Sequence, residues 1–92
     1  MIRNFEIIKI TISHNRGLFI FAKHLGLKND FVVADGSLFG EMPIIEYREM
    51  QPILDKDENP MPEVFVFRPY KVEHLFDKRF FQGEKVRLTT LD

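Results

Sequence analysis

The chain has no cysteine and no tryptophan, and its 92 residues include only five glycines, five prolines and three histidines. The missing thiols exclude a disulfide scaffold, a thiolate zinc site and a cysteine nucleophile. Long apolar runs are absent too. Nothing approaches the roughly 20 consecutive apolar residues that a spanning helix needs, and Lys9 and Thr11 interrupt the first apolar stretch, so no signal-peptide core is legible. The expectation is a soluble, cytoplasmic protein with no membrane partner. An excess of one charge sign is also lacking, since 13 Lys and Arg stand against 14 Asp and Glu for a net charge of −1. That balance does not carry the strongly basic footprint typical of nucleic-acid binders.

What is abundant is phenylalanine, ten residues of it, in a pattern that alternates with period two. Ile8, Ile10 and Ile12 alternate with Lys9, Thr11 and Ser13, as in a strand with one buried face. Phe5 and Ile7 have the opposite parity, so the Ile7-Ile8 junction marks a change of phase, either a β-bulge or a strand passing between two environments. After the turn-like segment 13–17, Leu18 to Lys23 reads as a strand buried on both faces. Phe31-Val32-Val33 reads as a third short strand, followed by the turn-forming Asp35-Gly36 pair. Ile44 to Tyr47 forms a fourth strand behind Pro43, and Glu63 to Arg68 a fifth. The segment 50–62, with three prolines and Asp55-Lys56-Asp57-Glu58-Asn59, reads as a long polar loop of functional or mobile character. Val72, Leu75, Phe76 and Phe80 fall at helical spacing ahead of Gly83, which predicts a short helix over 71–79. Glu84 to Leu91 alternates again as a sixth strand. The expected fold is all-β, one domain over 1–92: a small six-stranded antiparallel barrel, closed or partly open, with one short helix near the C-terminus. Phe19, Phe21, Phe65 and Phe67 are expected inside it. A barrel of this size does not hold ten rings, so Phe39, Phe76, Phe80 or Phe81 are left for a groove or an oligomer interface.

Two segments carry a family likeness. Ile12-Ser13-His14-Asn15-Arg16-Gly17-Leu18-Phe19-Ile20-Phe21-Ala22-Lys23-His24-Leu25-Gly26 is a strand, an Arg-Gly turn, a hydrophobic strand and a second glycine. Phe81-Gln82-Gly83-Glu84-Lys85-Val86-Arg87-Leu88 is a glycine turn running into a closing strand. Both resemble the second domain of translational GTPases of the elongation factor Tu type, in which an Arg-Gly pair joins the first two strands of a six-stranded barrel. Asn15, Leu18 and Ala22 stand where that family has Gly, Thr and Gly, and no Gly-Lys-Ser/Thr phosphate loop occurs in the 92 residues. The resemblance implies a barrel of translation-factor type whose partner is RNA or the translation machinery, and Arg16 and Gly17 are the positions that carry over best.

Residue chemistry points to binding rather than catalysis. No two of His14, His24 and His74 have metal-ligand spacing, and no nucleophile stands in a recognisable setting, so neither an enzyme nor a cofactor is expected. The acidic run at 55–59 fits the first positions of a calcium loop but puts Pro60 where the loop needs Gly and Val66 where it needs Glu, so no metal is expected. Charge is distributed unevenly: residues 1–28 carry +4, residues 29–63 carry −7 and residues 64–92 carry +2. If the first and last strands are neighbours, Arg16, Lys23, Lys85 and Arg87 share a face, with His14, Asn15 and Gly17 beside them in the turn. That set is the expected RNA-binding or other anion-binding surface. The competing expectation is a protein-interaction or homo-oligomer module that uses exposed phenylalanines and the acidic 50–62 loop.

Overall fold

The computed structural model describes residues 1–13, 17–47, 53–70 and 81–91. Six strands run in chain order: β1 (Ile2–Ser13), β2 (Gly17–His24), β3 (Ser37–Phe39), β4 (Met42–Tyr47), β5 (Val64–Pro69) and β6 (Lys85–Thr89). They close into an antiparallel barrel with the order β1-β2-β5-β4-β3-β6, in which β6 returns to pair with β1. No helix occurs among the described residues, and the helix expected over 71–79 lies outside them. No described helix is long and apolar enough to cross a membrane.

Closure depends on β1, which is long enough to serve two neighbours. Its first half pairs with β6, from Ile2 opposite Thr89 to Glu6 opposite Lys85, while Phe5 to Ser13 pair with β2. The ladder with β2 slips by one residue between Ile7 and Lys9, so Ile8 is a bulge. This is the phase change visible in the sequence, and its physical effect is to bend and twist the strand that must turn the barrel corner. Phe5 and Ile7 point inward before the bulge, and Ile10 after it. Ile12 shares that parity but sits past the packed interior and is 76% exposed.

The core is aromatic at its centre. Phe5 has no exposed surface and meets Phe39, Phe65 and Phe67 edge-on, at centroid separations of 6.1, 5.5 and 5.4 Å. Edge-to-face contact aligns the positive ring edge with the negative ring face, which adds to the stabilisation from area burial. Phe39 belongs to this core and not to a groove. Its strand β3 escaped the sequence pattern because it has three residues, one of them the buried polar Ser37, whose hydroxyl donates to the Ala34 carbonyl at 2.6 Å. Conversely, Phe19 and Phe21 are not interior residues. They alternate with the buried Leu18, Ile20 and Ala22 and lie half-buried on the outer face, Phe21 opposite Lys9 and Phe19 against Tyr47.

Phe31-Val32-Val33 alternates as a strand should, yet it pairs with nothing. Both edges of β2 are already occupied by β1 and β5, so the segment crosses the barrel end as irregular chain. Phe31 and Val33 pack inward, and the Val33 amide donates to a Glu46 carboxylate oxygen at 3.4 Å. The described part of the 50–62 loop is a compact hairpin. The Met61 amide donates to the Ile53 carbonyl, and one Asp55 carboxylate oxygen accepts from the amides of Asp57 and Asn59 at 2.8 and 2.9 Å. That oxygen thus caps the turn.

Because Phe5 sits among the core rings while Phe19 is half solvated, the same truncation separates inside from outside. Phe5→Ala is expected to cost about 3–5 kcal/mol in urea unfolding, and Phe19→Ala less than half of that. Equal penalties would contradict the placement of the two rings.

Candidate anion-binding surface

Of the cations expected to converge, Lys23, Lys85 and Arg87 are described and share one side of the barrel. Lys23, at the end of β2, and Lys85, at the start of β6, are both register partners of Glu6 on β1. Adjacent strands lie about 4.8 Å apart, so the two lysine backbones stand about 10 Å from each other with Glu6 between them. Arg87 follows one outward position along β6, opposite Asn4. Lys23, Lys85 and Arg87 are exposed on one outer surface spanning β2, β1 and β6. Among the described residues none of the three forms an ion pair, and neither does Glu6.

Gly17 belongs elsewhere. It opens β2 opposite Ser13 with a φ of 86°, a left-handed conformation that suits glycine at a hairpin turn. Six residues of extended strand place it about 20 Å from Lys23. His14, Asn15 and Arg16 lie outside the described residues, as do Phe76 and Phe80, whereas Phe81 is 65% exposed beside the turn that leads into β6.

Beyond His24 the chain leaves the sheet and makes a wall next to the same surface. Leu25 N–H donates to the Asn4 carbonyl at 2.9 Å, continuing the β1–β2 contact past the strand end. On either side of that hydrogen bond the surface is concave. One depression of about 350 Å³ is lined by Asn4, Leu25, Val86, Lys85 and Arg87. A second of about 450 Å³ also includes Asn4 and Leu25 and adds Arg3, His24, Gly26 and Lys28. No carboxylate lines either one.

The imidazole of His24 anchors this region. It is 5% exposed, with Nδ1 2.9 Å from the Asn29 side-chain oxygen, and its ring packs on Phe5 and Phe31 at centroid distances of 5.2 and 4.8 Å. His24 is therefore a hydrogen-bonded core residue on its Nδ1 side, and no group of three metal-ligating side chains occurs among the described residues. Phe31 stacks on Phe65 with an interplanar angle of 16°, and the Arg3 guanidinium lies over the Phe31 ring at 3.6 Å. Arg3 and Lys28 were not among the residues expected from the sequence. The signal for Arg3 was its parity: it alternates in phase with the buried Phe5 and Ile7, an odd place for a cation unless something inside receives it.

Fold and surface define a small, closed, six-stranded antiparallel barrel with two cation-bearing depressions beside the end of its β2-β1-β6 side. No protein-family model, curated protein or solved structure matches the chain. What the structure shares with the expectation is the six-stranded closed antiparallel barrel.

The close approach of Gly26 to His24 gives a direct test of the wall. A Cβ at Gly26 would lie 2.6 Å from His24 Cε1 and 2.8 Å from Nε2, whereas one at Gly83 would touch nothing and would suffer only from the backbone, with φ at 87°. Gly26→Ala is expected to cost about 1–3 kcal/mol through overpacking. In a His24→Ala background that penalty should nearly vanish. An undiminished penalty in the double variant would show that the imidazole is not what Gly26 accommodates.

Proposed function

We propose that this barrel is a non-enzymatic binding module of translation-factor type whose ligand is single-stranded RNA, held across the outer surface of β2, β1 and β6. The observation that carries the proposal is the strand order. Pairing of the first strand with the last gathers Lys23, Lys85 and Arg87, drawn from opposite ends of a nearly neutral chain, onto one surface, with no ion pair to neutralise them among the described residues. Lys85 and Arg87 line a depression without a carboxylate, while Lys23 stands beyond Glu6 on the same face; such cations attract a polyanion, and binding then gains from release of the counterions condensed on its backbone. Exposed Leu25 beside the lysines offers apolar contact to sugars and bases. The sequence resemblance adds Arg16 and Gly17 to the residues expected to take part in binding.

A second reading has one observation in its favour. Phe81, Val32 and Leu27 are large apolar side chains exposed to solvent, and a second copy of the chain or another protein would gain by covering them.

Under the RNA reading, affinity for a labelled oligouridylate falls linearly with the logarithm of salt concentration. Lys85→Glu combined with Arg87→Glu should lower affinity by about tenfold or more and reduce the slope by about 1 for each phosphate no longer neutralised. A salt-independent affinity unchanged in the double variant contradicts it. Salt-insensitive dimers at micromolar concentration in light scattering, without RNA binding, would favour the second reading.

A further inference from the structure

Arg3 offers more hydrogen-bonding capacity than the barrel uses. Its guanidinium lies 3.6 Å over Phe31, which is itself stacked on Phe65. Stacking engages the face of the guanidinium and leaves its N–H edge available for an acceptor with two oxygens, such as a phosphate. No described carboxylate takes that position, because Arg3 forms no ion pair among the described residues. The aromatic stack also restrains the side chain, so less rotamer freedom is given up when an anion arrives.

Arg3 opens into the larger depression together with Lys28, an exposed cation that likewise has no partner among the described residues. About 450 Å³ is within the range of cavities that hold small ligands. Two cations without a counter-charge match a dianion better than a singly charged phosphodiester. Leu27 and Ile2, both exposed, supply an apolar rim. The close approach of Gly26 to the His24 ring keeps this wall free of side-chain bulk.

We infer that this depression is a phosphomonoester site, in which Arg3 and Lys28 receive the terminal phosphate of a nucleotide. It deepens the RNA reading without depending on it. The smaller depression, with Lys85 and Arg87, shares Asn4 and Leu25 with the larger one, so a strand lying over those two cations reaches Arg3 with its phosphorylated end. A free mononucleotide presents the same chemistry.

Two measurements on the intact chain test the site and distinguish its sources. Calorimetric titration with uridine monophosphate and with uridine should show binding of the phosphorylated compound alone. Fluorescence anisotropy with matched oligouridylates should show the 5′-phosphorylated strand binding about tenfold more tightly than the 5′-hydroxyl strand, the gain expected of charge-assisted hydrogen bonds. Discrimination in both experiments assigns the site to strand ends, and in the calorimetry alone to free nucleotides. Lys28→Gln, at an exposed position, should weaken uridine monophosphate about tenfold and leave the 5′-hydroxyl strand unaffected. Binding of uridine monophosphate without any RNA binding would refute the RNA reading while upholding the phosphate site. Absence of discrimination in both experiments, or a Lys28→Gln variant that binds like the parent, overturns the assignment.

Discussion

Two adjacent residues in the middle of β1 hold the structure together. Phe5 and Glu6 are the positions at which β1 is paired on both sides, Phe5 with His24 and Val86, Glu6 with Lys23 and Lys85. A sheet closes only where its first strand, already paired with the second, also pairs with the last, and the overlap at Phe5 and Glu6 is where the series joins. Successive residues of a strand face opposite ways. Phe5 therefore enters the interior and becomes the hub of the aromatic core, while Glu6 faces out and is flanked by two lysines. One hydrogen-bonded junction thus sets both what is buried and which charges meet at the surface.

The surface chemistry follows from that junction. The β1–β2 hairpin sets residue 23 beside residue 6, and closure brings residues 85 and 87 beside residues 6 and 4. The bulge at Ile8 has a part in this, because it lets the inward parity of Phe5 and Ile7 be followed by the inward parity of Ile10 while the strand changes direction. The Gly83 amide and the Glu84 carbonyl bond to Ile7 immediately before the bulge, at 2.6 and 2.8 Å, tying the turn into β6 to the same point. Arg3, two residues before Phe5, stays in phase with it and is received by the Phe31 ring at the barrel end.

Much of the architecture was legible in the sequence because period-two patterning reports which way side chains face. The all-β class and the phase change at Ile7-Ile8 were accessible from it, and adjacency of the first and last strands entered only as a condition of a closed barrel. Patterning reports nothing about partners, however. Phe31-Val32-Val33 alternates correctly but finds no free strand edge, whereas Ser37–Phe39 pairs on both sides with a pattern too short to recognise. Phe19 and Phe21 misled for a related reason. An unbroken apolar run suggests burial on both faces, but here the second face is a half-buried outer surface where Lys9 and Arg68 lie over the rings. Of the candidate surface, Lys23, Lys85 and Arg87 were accessible from charge and strand adjacency. Arg3 showed only its inward parity and Lys28 nothing, since their setting depends on a segment that leaves the sheet at His24 and returns across the barrel end.

The central claim is that closure at Phe5 and Glu6 creates the surface proposed to bind RNA. The most direct measurement is a map of backbone amide shifts on the isotope-labelled protein as an oligouridylate is added. The account predicts that the largest changes fall on residues 3–6, 23–28 and 85–88, three segments far apart in sequence and joined only by the β2-β1-β6 order. Changes confined to the Phe19, Phe21 and Tyr47 face, or to the 53–61 hairpin, or no changes at saturating RNA, would contradict it.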